Sequence, residues 1–162
     1  MTPAQTATLK AALLADPALA QYITDYRDDL IRDYYNQPAS PAYIVWRTAV
    51  TQDEIMLNGF DWARVDNLSA GRARVWSWMF DNQAKSFNPS KSNVRAGIDQ
   101  TWVGTAPDLA VRAAVYVHCK RACNRVERLF ATGTGSDAVP GLMAFEGEIT
   151  TSEVSAMLSG ER

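Results

Sequence analysis

The sequence predicts an all-α fold: a multi-helix bundle with an extended, proline-flanked arm and a C-terminal extended tail that ends in a short helix. Three observations carry this prediction. Helix-start signatures recur at Thr2-Pro3-Ala4-Gln5, Thr51-Gln52-Asp53-Glu54 and Thr150-Thr151-Ser152-Glu153, each a Thr followed three residues later by Gln or Glu, the pattern of a capping box. Apolar residues repeat at three- and four-residue spacing over most of the chain. Extended backbone is expected at two places: Tyr43 to Val50, rich in β-branched and aromatic residues, as a lone strand or an arm, and Leu142 to Ile149 as a short strand or an extended segment.

The elements follow in order. Pro3 at a first helical position opens a helix to about Leu14. Asp16-Pro17 restarts the signal, and Leu19, Tyr22 or Ile23, Tyr26, Leu30 and Tyr34 form the inward stripe of a second helix, ending near Tyr35 before Pro38. Its other face carries Asp25, Asp28, Asp29 and Asp33 with Arg27 and Arg32 interleaved. Residues 1–37 are thus a helical pair, and residues 38–50, from Pro38-Ala39-Ser40-Pro41 onward, form the extended arm.

Residues 51–132 are the expected bundle core within one overall domain. Thr51 opens a short helix that Asn58-Gly59 closes. Asp61 caps a turn that faces Trp62, Val65 and Leu68 inward, and Ser69 caps a helix through Phe80. Trp62, Trp76 and Trp78 cluster here as core or interface anchors. A helix from about Pro89 to Val103 turns Val94, Ile98 and Trp102 to one side, and Gly104 ends it. A long helix from about Ala106 to Ala131 has the stripe Leu109, Ala113, Tyr116, Cys119, Cys123, Val126 and Phe130, with Arg121, Arg125 and Arg128 on another face. Residues 133–162 are a Gly-rich loop and tail.

The chain has 162 residues and a net charge of −2, which argues against a cationic nucleic-acid binder. No apolar run reaches the ~18 residues of a membrane span, and no signal-peptide pattern is visible, so synthesis in the cytoplasm is expected. Cys119 and Cys123 read as small core residues, and His118 is the only histidine, too few groups for a zinc site. The Gly133-Thr134-Gly135 loop follows a helix, whereas phosphate loops precede one, so Gly133 reads as a helix cap. Asp53, Glu54, Asp61, Asp66, Glu146 and Glu148 lack a His or Lys partner in an acid–base pattern. No catalytic residue, metal or cofactor is expected, and the chain does not read as an enzyme.

The segment order, with PASPAYIVWRT, DWARVDNLSAGRARVWSWMF, NPSKSNVRAGIDQTW and KRACNRVERLFATGTGS followed by LMAFEGEIT, resembles small proteins encoded among the structural genes of tailed bacteriophages, some of them similar to head-to-tail connector (adaptor) proteins. The resemblance covers about Pro38 to Leu158. It implies a structural virion protein of the neck, a homo-oligomeric ring, typically a dodecamer, beneath the portal. Double-stranded DNA passes through the channel, and the partners are the portal and the next neck or tail protein. On that basis Gly133, Gly135, Leu142, Phe145, Ile149 and Val154 are the expected portal-docking residues, on a detachable tail. Arg121, Arg125 and Arg128 are expected to face a neighbouring subunit or DNA. The alternatives are a DNA-binding packaging subunit of the small-terminase kind, or another minor head or tail completion protein.

Overall fold

The computed structural model describes residues 1–57 and 60–161; the Asn58-Gly59 cap lies outside them. In chain order the elements are α1 (Pro3–Ala15), a 3-10 turn (Pro17–Leu19), α2 (Ala20–Thr24), α3 (Asp28–Asn36), β1 (Ile44–Trp46), β2 (Val50–Thr51), α4 (Gln52–Met56), α5 (Trp62–Asp66), α6 (Ala70–Met79), β3 (Ser86–Phe87), α7 (Ser92–Thr101), α8 (Ala106–His118), β4 (Lys120–Ala122), α9 (Arg125–Leu129), β5 (Ala131–Thr132), β6 (Leu142–Met143) and α10 (Thr151–Leu158). The chain is about 54% helix and 11% strand. The all-α expectation is therefore corrected to a mixed α/β composition with small two-stranded sheets: β1 with β4, β2 with β3, β5 with β6. Extended backbone must find hydrogen-bond partners. Tyr43 to Val50 finds them in segments that look helical or featureless by composition, so the expected arm is two paired strands.

The chain folds as two compact units. The first is Met1–Val45 with Ala122–Arg162, and the second is Trp46–Arg121. In the first unit, Leu9 and Leu13 of α1, Leu19, Ile31 and Tyr35 of α3, Val126 of α9, and Ile149, Val154, Met157 and Leu158 make one buried cluster. The C-terminal segment is part of this core, and polar bonds fix it there. Asn36 donates to the Ile149 carbonyl at 2.9 Å and accepts from its N–H at 3.0 Å. The Glu127 carboxylate accepts from the N–H groups of Gly147 and Asn124 at 2.9 and 3.1 Å.

Two predicted helices break. The second one stops after Thr24, where Tyr26 takes a left-handed φ of 57°. Arg27 N–H reaches the Tyr22 carbonyl at 2.9 Å and Tyr26 N–H the Ile23 carbonyl at 3.4 Å, the bond pair of a Schellman motif. Tyr26, expected to face inward, is 66% exposed. The long helix from Ala106 stops at His118, and Asn124 caps α9 in a capping box with Glu127. The buried side of α8 is Asp108, Val111 and Val115, with Cys119 just beyond, whereas Leu109 of the expected stripe is exposed.

The second unit is built on aromatic packing. Trp76 lies 5.9 Å from Phe60 in a stacked pair, and 5.1 and 5.3 Å from Phe80 and Trp102 in edge contacts. Val50, Ile55, Phe87, Ile98, Val111, Val115 and Cys119 complete the core. The pair β2 and β3 sets Val50 opposite Phe87. Arg64 donates to Asp108 at 2.6 Å, and Asp108 also accepts from the Thr105 hydroxyl at 2.8 Å. The Arg64 hydrogen bond, then that of Thr105, holds the Asp108 carboxyl below the usual range.

Candidate functional site

The residues that sequence reasoning singled out do not converge. Gly133 and Gly135 lie in the loop joining β5 to β6, an antiparallel pair with Ala131 opposite Met143 and Thr132 opposite Leu142. The loop folds over Tyr43, whose hydroxyl donates to the Gly133 carbonyl at 2.7 Å. A Cβ at Gly135 would overlap the Tyr43 ring, and its φ of 66° also favours glycine. Gly135 is thus a packing position. Leu142 and Gly133 are exposed, Phe145 is half-buried against Phe130, and Ile149 and Val154 are core. The expected detachable tail is integral to the first unit for that reason.

The three arginines share no helix face. Arg121 is in β4, in the second unit, whereas Arg125 and Arg128 are in α9, in the first. Arg125 lies 3.9 Å over the Tyr34 ring. Arg128 sits 5.7 Å over Tyr43 and donates to the Pro41 carbonyl at 2.9 Å. The acidic helix face is answered by its own neighbours, Arg27 with Asp29 at 2.8 Å and Arg32 with Asp33 at 2.6 Å.

Glu54, Asp61 and the two thiols have structural surroundings. Glu54 accepts from Thr51 N–H at 2.8 Å and pairs with Arg47 at 2.6 Å. The Thr51 N–H is the main cause that lowers its pKa. Asp61 caps α5 through the Ala63 N–H at 3.1 Å. Burial pushes the Cys119 thiol up to about 12, so it is a poor nucleophile. Cys123 is buried with Ala39 and Val45. Among the described residues, no group of three His, Cys, Asp or Glu is placed to hold a metal ion.

Two surface features stand out instead. The second unit has an open groove of about 790 Å³ whose lining includes Trp62, Trp78, Arg74 and Lys85. Trp62 is 47% and Trp78 65% exposed, and an amphipathic indole of this kind is well suited to an interface. The Arg74 guanidinium lies 5.5 Å over the Trp78 ring. The tryptophan cluster was visible in the sequence, but α6 splits it: Trp76 turns into the core and Trp78 outward. The second feature is the exposed Tyr26 turn, with Asp25 beside it. Nothing in its composition marks that turn, because a left-handed Tyr has no sequence signature.

Charge divides unequally between the units. The first carries six cationic and eleven anionic side chains, net −5, and the second ten and seven, net +3. Chemically, this arrangement can bind through aromatic and ionic contacts. No family model matches the chain, and no curated protein or solved structure matches it.

Proposed function

We propose that the chain is a structural protein of the tailed-bacteriophage virion, a head-to-tail connector that assembles between the portal and the next neck component around the DNA channel. Its sequence resemblance points to this role. The observation that supports it best is the division of charge, net −5 in one compact unit and +3 in the other. A subunit with one acidic and one basic unit suits repeated head-to-tail contacts. It also limits the tight phosphate binding that a uniformly basic protein would make with passing DNA. Within this reading, portal contact belongs to the exposed part of the β5–β6 hairpin, where Val139 is 58% and Leu142 44% exposed.

The packaging-subunit alternative loses its proposed contact surface, since Arg121 lies in β4 and Arg125 and Arg128 in α9, and Arg125 and Arg128 are stacked on tyrosines. The test is electron microscopy of particles carrying a labelled copy of this chain, alongside binding to the portal protein of the same genome. Label at the neck vertex and portal binding weakened by Leu142→Asp are expected. Label over the capsid shell or the tail tip overturns the connector reading.

A further inference from the structure

We infer that the Asp25–Tyr26 turn of one copy docks into the Trp62–Trp78 groove of a second copy. The turn has the features of an anchor. Tyr26 is held at φ 57°, at the position where a Schellman motif ordinarily has Gly or Asn, and a bulky residue there is strained. Such strain persists where the surrounding fold enforces it, and it concentrates at binding features. Here it projects a ring that is 66% exposed. Asp25 next to it accepts the Gln21 amide at 2.8 Å, and its charge also acts on Arg27.

The groove has the complementary chemistry. Trp62 and Trp78 present exposed ring surface, and aromatic pairs favour the offset and edge geometries that exposed rings can offer. Among the described residues the Arg74 guanidinium lies over the Trp78 ring and neither it nor the Lys85 ammonium is in an ion pair, although Asp81 lines the same groove. A phenol ring flanked by a carboxylate fits this surface: ring against tryptophan, Asp25 against Arg74 and Lys85. The occupant is a second copy because each copy carries both halves, the turn on the unit of net −5 and the groove on the unit of net +3. The two halves differ, so the contact is heterologous and leaves one free turn and one free groove on every added copy. The contact needs no portal, tail or DNA, so it stands or falls apart from the connector reading.

The test is sedimentation of the purified full chain across a concentration series. Mass is expected to rise with concentration and to fall with added salt, because the ionic part of the contact is screened. Tyr26→Gly relieves the strained turn and is expected to raise Tm while weakening association by about tenfold or more. Trp78→Ser and Arg74→Glu should weaken it similarly with unchanged circular dichroism. Asp25→Arg combined with Arg74→Glu should restore it. A mixture of Tyr26→Gly and Trp78→Ser chains should form dimers and stop, since each dimer is capped at both ends. A wild-type chain that stays monomeric, variants that associate like wild type, or a mixture that grows past two copies each overturns the inference.

Discussion

At the residue scale, burial sets the alkaline limit of the second unit. Cys119 is wholly buried, and its thiol is pushed up to about 12 by desolvation. The folded state therefore holds this proton more tightly than the unfolded chain does. The stability it contributes is complete below about pH 9 and is lost as pH rises toward 12. Tyr116 shifts in the same direction, mainly by burial. Urea denaturation is expected to show falling stability in that window, with at most about 1.4 kcal/mol per pH unit from each group. Cys119→Val should remove only the thiol's share and flatten the decline. An unchanged slope would mean that the thiol already meets water in the folded state.

At the element scale, the strongest local signals came through as they were read. Thr2, Thr51 and Thr150 each cap a helix in a box with Gln5, Glu54 and Glu153, because capping is a contact within four residues. Ile98 and Trp102 turn inward as their spacing requires, both fully buried. What failed was the pairing of distant segments. The stripe from Leu109 to Phe130 has helical spacing throughout, yet Lys120–Ala122 becomes a strand because its partner is Ile44–Trp46. One cue was there: Asn124 and Glu127 form a further capping box, with Asn in place of Thr, which announces a new helix start. The candidate groove was legible only as a cluster of tryptophans, since which of them faces water depends on the packing of α6.

The last helix is held by side chains that are polar and easily passed over. Asn36 satisfies both backbone groups of Ile149. Asn36→Ala leaves a part-buried N–H and carbonyl without that partner, and is expected to cost about 2 kcal/mol. Chemical denaturation checks it, and a loss within error of zero would show that water replaces the amide freely.

At the scale of the whole molecule, the C-terminal segment decides whether the first unit exists. Ile149, Val154, Met157 and Leu158 are all 5% exposed or less. At about 2 kcal/mol for each buried side chain, their sum is comparable with the entire stability of a small domain. A chain truncated after Gly141 is expected to lose protease resistance in residues 1–45, read by limited proteolysis with mass spectrometry. Persistence of that region would assign the core to α1 through α3 alone. The same result bears on any portal-binding test, because removing the tail destroys the unit that presents the β5–β6 hairpin. Point changes at Leu142 avoid this.

The second unit begins and ends at neighbouring positions: the Arg47 N–H donates to the Cys119 carbonyl at 2.9 Å, while in the first unit the Cys123 N–H donates to the Tyr43 carbonyl at 3.0 Å. Residues 46–121 are therefore, along the chain, an insertion between the two segments of the first unit. Every buried apolar residue of the first unit's clusters lies outside the insertion. Residues 46–121 can therefore be lengthened, shortened or exchanged without removing one buried apolar residue from the first unit's clusters.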